Sequence, residues 1–210
     1  MRISRDIVAI GVLGENNSRS MEKLIAGLPT DFPASILIVL QIPAEVSTLE
    51  KVLVGQGSLP VVRSREGQDI RRGCVYLGSS HASLVTRPWG VLGLEPAMAN
   101  DHHHFAVNRF FDSAAHVWGN RVIGVLLNPE NAGHAIGLAA VKAAGGIAVI
   151  EDAEGNFASS LGDEVDPDES HRLLPSPAIA DLLAKLVEMP QPKLARHFSF
   201  KKRRQQIYDC

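Results

Sequence analysis

The chain has 210 residues, 45% of them hydrophobic, 21% charged and 5% aromatic. That length suits one globular domain with at most a tail. Lys and Arg number 21 against 23 Asp and Glu, so the formal net charge is −2 and offers no global electrostatic case for nucleic acid or an anionic membrane. Cys74 and Cys210 are too few for a disulfide scaffold or a structural zinc site.

The first apolar run, residues 7–13 (IVAIGVL), is too short for a secretion signal or a membrane span. The expectation is a reduced, cytoplasmic protein without membrane insertion. The run reads instead as a strand. Met21, Leu24, Ile25 and Leu28 follow at helical spacing and stop at Pro29. Residues 36–41 (ILIVLQ) predict a second strand. Residues 59–62, 74–77, 83–86 and 90–94 predict short strands broken by Gly and Ser, expected to form antiparallel hairpins beside the main sheet. A helix over 105–117 precedes a third long apolar run, 122–128 (VIGVLLN). Leu138, Ala139, Val141 and Ala144 then mark a helix that Gly145-Gly146 ends. A strand at 147–150 and an amphipathic helix at 177–188 complete the pattern, and Pro190 and Pro192 open a linker.

The three long runs lack polar alternation, as strands covered on both faces do. The alternation of strands and helices predicts a doubly wound α/β fold. Its sheet is mostly parallel, with helices on both faces and an inserted antiparallel β-hairpin. Residues 1–189 form this domain and 190–210 a basic tail. Charge is unevenly placed. Residues 151–169 hold eight acidic side chains and no Lys or Arg, whereas 193–204 hold six basic ones. Two readings stand: an acidic surface loop with a solvated tail, or a tail that docks on an acidic surface.

Ligands of open parallel sheets bind beyond the carboxyl ends of the strands, which selects residues 11–17, 40–43 and 128–134. Gly11 and Gly14 match neither a Walker A loop nor the full dinucleotide fingerprint, so no cofactor is expected. In Asp101-His102-His103-His104, an extended backbone puts only His102 and His104 on one face, one ligand short of a zinc site. No metal is expected there. Ser79-Ser80-His81 reads as a turn. Cys74 reads as a small buried hydrophobe, and Cys210 as exposed.

The order of these pieces resembles the catalytic domain of CheB-type chemoreceptor methylesterases. The resemblance rests on Ala9-Ile10-Gly11 with its helix to Leu28-Pro29, and on Ile38-Val39-Leu40-Gln41-Ile42-Pro43. It continues through Glu66-Gly67 to Gly73-Cys74-Val75-Tyr76-Leu77, and through Val107, Phe110-Phe111 and Ser113-Ala114-Ala115. Gly124-Val125-Leu126-Leu127, Gly137 and Ala143-Ala144-Gly145-Gly146 close the series. It covers roughly residues 6–188. It implies the doubly wound fold and a place in chemosensory signal transduction. The family's receiver domain finds no room in these residues, so phosphorylation-gated opening is not expected within them.

The resemblance also implies a Ser-His-Asp triad, in which imidazole deprotonates the serine and a carboxylate orients the imidazole. Here the positions of that triad are differently filled. Leu13 or Gly14 stands at the nucleophile's place, Gln41 at the base's and Gly133 at the acid's. A carboxamide accepts no proton near neutral pH. The expected protein is therefore a pseudoenzyme: a methylesterase-like binding or regulatory module, with a chemoreceptor or another chemotaxis protein as partner. The alternative is an active protein-glutamate methylesterase, or a related carboxylic-ester or amide hydrolase, with a rebuilt site such as Ser18–His134–Glu130. Glu15, Gln41, His103, Asn128, Glu130, Asn131 and His134 are the candidate pocket residues, read either as a solvated loop cluster or as a small polar pocket.

Overall fold

In a computed structural model the described residues are 5–13, 18–40, 46–56, 59–78, 82–96, 104–129, 135–152 and 172–187. Strand β1 (Ile7–Val12) leads to helix α1 (Ser18–Ala26), then β2 (Ser35–Leu40), α2 (Val46–Gln56), β3 (Val61–Arg63) and β4 (Val75–Leu77). The hairpin β5 (Ala82–Arg87) and β6 (Val91–Pro96) follows. Next come α3 (His104–Trp118), β7 (Val122–Leu127), α4 (Ile136–Ala143), β8 (Ile147–Glu151), β9 (Arg172–Leu174) and α5 (Ser176–Leu186).

Among the described residues, seven strands form one sheet in the order β3-β4-β2-β1-β7-β8-β9, and every pairing in it is parallel. The continuous apolar runs are explained by what lies above and below them. Val8, Ile10 and Val12 of β1 join a core shared with Met21, Leu24 and Ile25 of α1, Leu49 and Leu53 of α2, and Ile179 and Leu183 of α5. Ile7, Ala9 and Leu13 point the other way, into a core built with Val107, Phe110 and Phe111 of α3, Leu138 and Val141 of α4, and Leu84 and Leu92 of the hairpin. A strand with two dry faces has no place for a polar residue. Each such fully buried Leu, Ile or Phe contributes roughly 1.5–3 kcal/mol from leaving water.

Close approach of α3 requires glycine beneath it. A Cβ on Gly11 would lie 2.4 Å from Val107 Cγ1 and 3.1 Å from the Phe111 ring. The hairpin is fastened to α3 by Ser113, whose Oγ accepts from Thr86 N (3.0 Å) while donating to Phe110 O (2.9 Å). Its other anchor is Glu66, which accepts from Arg87 Nε (2.8 Å) and Leu94 N (2.5 Å).

The doubly wound sheet with an inserted hairpin is as expected. One local expectation is corrected. Residues 59–62 and 74–77 do not form an antiparallel hairpin, because β3 and β4 run parallel and extend the main sheet beyond β2. The turn at Glu66-Gly67 instead carries the chain back from β3 so that β4 can pair on both sides. Two elements were not anticipated: α2, and the edge strand β9. Cys74 is buried, as its apolar neighbours suggested.

Candidate functional site

All seven strands point the same way, so the carboxyl ends of β1, β2 and β7 meet at one edge. Val12 is level with Leu40 on one side and with Leu127 on the other. Helices α1, α2 and α4 begin beyond these three strand ends, and α3, which runs back toward the start of β7, begins at the same edge with His104. The amino ends of four helices therefore surround it, an arrangement that favours negative charge or carbonyl oxygen.

Leu13 is fully buried. Its N–H donates to Leu127 O at 3.2 Å, which continues the β1–β7 ladder one residue past the strand. Its side chain is 0% exposed, in the core beneath α3. Asn128 is exposed and holds φ +58°, turning the chain off the end of β7. Asn tolerates this left-handed conformation, whereas a β-branched residue meets its own carbonyl. Asn128→Val is expected to be about 1–2 kcal/mol less stable than Asn128→Gly, since both lose the amide and only valine strains the left-handed backbone. Thermal unfolding of the two variants checks this.

Of the other candidates, Gly14, Glu15, Gln41, His103, Glu130, Asn131, Gly133 and His134 lie outside the described residues. The same holds for Asp101-His102-His103, for Ser79-Ser80-His81, for residues 153–171 and for the tail from 188 onward. Ser18 is the first residue of α1. Among the described residues, no cluster of three or more His, Cys, Asp or Glu has metal-binding geometry. No described helix is long and apolar enough to cross a membrane.

One residue at this edge escaped the reading of the sequence. Glu151 opens the acidic stretch 151–169 of the sequence, yet it ends β8 level with Leu174 of β9 and is 4% exposed. The available signal was its continuity with the strand Ile147–Ile150, which the acidic residues after it obscured. It is a buried carboxylate at the carboxyl edge, two strands from β1.

A family model described as CheB methylesterase matches residues 13–183. The chain belongs to the CheB methylesterase family. It is 33% identical over 147 residues to a protein of Burkholderia orbicola (strain AU 1054) named protein-glutamate methylesterase/protein-glutamine glutaminase 3, covering 70% of this chain and 43% of that one. A Methanosarcina mazei protein named protein-glutamate methylesterase/protein-glutamine glutaminase 2 is 29% identical over 192 residues, covering 87% of this chain and 52% of its own length. The chain thus spans about half the length of these curated relatives. In three dimensions it is similar to the crystal structure of the Thermotoga maritima CheB methylesterase catalytic domain. That match has a TM-score of 0.76 and 26% identity, and covers 88% of this chain and 100% of the other.

Proposed function

We propose that this CheB methylesterase-type domain does not hydrolyse esters and instead works as a binding or regulatory module in chemosensory signalling. The observation that carries the reading is Leu13. Where the family resemblance calls for an exposed nucleophile just past β1, the ladder continues and the side chain at that point is sealed in the core. Moving the register by one residue puts Gly14 there, which has no side chain to attack with. Gln41 and Gly133 at the remaining positions can neither accept the serine proton nor orient an imidazole. The scaffold keeps an edge ringed by helix amino ends, suited to a carboxylate or carbonyl group of a partner. The proposed partner is a chemoreceptor helix bundle or a chemotaxis protein.

Two measurements test this. The purified chain is expected to release no methanol from a glutamyl methyl ester and to take no label from a serine-directed fluorophosphonate. Labelling that one serine substitution abolishes would establish a rebuilt hydrolase instead, with Ser18 the first to replace. A pull-down with purified receptor helix bundles and chemotaxis proteins that recovers nothing would remove the binding half of the reading.

A further inference from the structure

The amino edge of the sheet, opposite the site above, carries a second cluster. β1 spans six residues, which separates the two edges by roughly 20 Å. Asp6, one residue before β1, is 3% exposed and accepts from Arg121 Nε and Nη2, both at 2.8 Å, and from Arg72 Nη2. Two guanidiniums thus share one carboxylate, and the cluster keeps a net charge of +1. Each arginine offers five N–H donors, of which Asp6 takes two from Arg121 and one from Arg72. The arginine side chains are 47% and 61% exposed, so donors remain turned outward.

These donors face a cavity of about 270 Å³ that Trp89 and Trp118 also line. Trp89 sits in the turn between β5 and β6 with φ +75° and is 97% exposed. A large ring gains nothing for the isolated fold from full exposure, and a left-handed backbone is unfavourable for a bulky residue. Trp89 thus presents an exposed indole beside the two guanidiniums that line the cavity.

We infer that this cavity is a binding site for a small aromatic carboxylate, whose carboxylate pairs with the outward N–H groups of Arg72 and Arg121 while its ring stacks on Trp89. Arginine forks match carboxylates geometrically, and a flat apolar body gains from an indole face. The volume lies just below the range of about 300–1,000 Å³ usual for ligand pockets, which selects a single ring over a nucleotide.

The test needs no added label, because Trp89 and Trp118 are the chain's two tryptophans and both line this cavity. Benzoate titrated into the full chain is expected to change the tryptophan emission saturably and to protect it from acrylamide quenching. Benzamide, which keeps the ring and loses the charge, and acetate, which keeps the charge and loses the ring, are each expected to bind about tenfold more weakly. Arg72→Gln is expected to weaken benzoate about tenfold, with circular dichroism verifying its fold; the benzamide and acetate comparisons on the unaltered chain stand without it. An unchanged emission with benzoate overturns the inference. Equal binding of benzamide overturns the role of the arginines, and equal binding of acetate overturns the role of Trp89.

Discussion

Gly137→Ala is expected to lower the unfolding free energy by about 2 kcal/mol. A Cβ at this position, in the first turn of α4, would lie 2.7 Å from Asn108 Cα and 2.8 Å from Asn108 O. Those are backbone atoms of α3, and no rotamer change moves them aside. Phe111 Cβ, at 3.0 Å, closes the remaining direction. Overpacking of this kind costs up to about 3 kcal/mol, and alanine's better helix propensity returns about 1 kcal/mol. Separation of the helices would also stretch the bond from Gly137 N to Asn108 Oδ1, now 2.9 Å. Gly55→Ala in α2 isolates the propensity contribution. Nothing lies within 4 Å of its Cβ, so the same substitution there is expected to stabilise by about 0.5 kcal/mol. Urea unfolding of the two variants beside the parent gives the two signs. Equal effects would refute the packing argument.

Asp6→Asn is expected to cost about 2 kcal/mol at pH 7. Breaking a buried ion pair commonly costs about 3–5 kcal/mol, but the arginines left behind here are half exposed and can rehydrate, which places the loss lower. The pH dependence gives a sharper signature. Burial alone pushes the Asp6 carboxyl up; hydrogen bonds from Arg121 and Arg72, aided by their charges, outweigh it and hold the pKa below its ordinary value. A carboxylate with a depressed folded pKa binds fewer protons folded than unfolded. Its contribution is therefore complete above the unfolded value near 4, and is lost as the pH falls toward the lower folded one. The difference between parent and variant should be constant from pH 7 to 5 and narrow below about 4. A difference that persists unchanged at pH 3 would show that the carboxylate's charge is not what stabilises this corner. The arginine partner responds in the opposite sense, since the hydrogen bond from Arg121 to Asp6 raises the guanidinium pKa above its ordinary value.

Much of the fold was legible because its strands are buried on both faces. Residues 7–13, 36–41 and 122–128 admit only one interpretation, and β1, β2 and β7 match them to within a residue at each end. Helix α3 was equally clear, since Val107, Phe110, Phe111 and Ala114 form an apolar stripe that packs on Gly11 and Gly124. The short strands were not. A three-residue segment such as Val75-Tyr76-Leu77 carries too little pattern to name its partner. Its parallel pairing with β2 and β3 follows from how the chain between β3 and β4 folds back, which local propensity does not report.

The two edges of the sheet differ in the same way. At the carboxyl edge the proposed loss of the triad rests on residue types: Leu13, Gly14 and Gly133 carry no nucleophilic or titratable side chain, and the Gln41 carboxamide accepts no proton near neutral pH. Which acidic residue is buried there was decided only by folding, since Glu151 looks like the start of a surface loop until β9 pairs alongside it. The amino-edge cluster lies wholly in that second category. Asp6 is separated by 66 residues from Arg72 and by 115 from Arg121. No periodicity links residues so far apart, because their meeting depends on strand order. The residue types alone therefore determined a parallel, doubly covered sheet. Tertiary structure alone decided which charges and rings share a pocket, because that depends on which strands lie side by side.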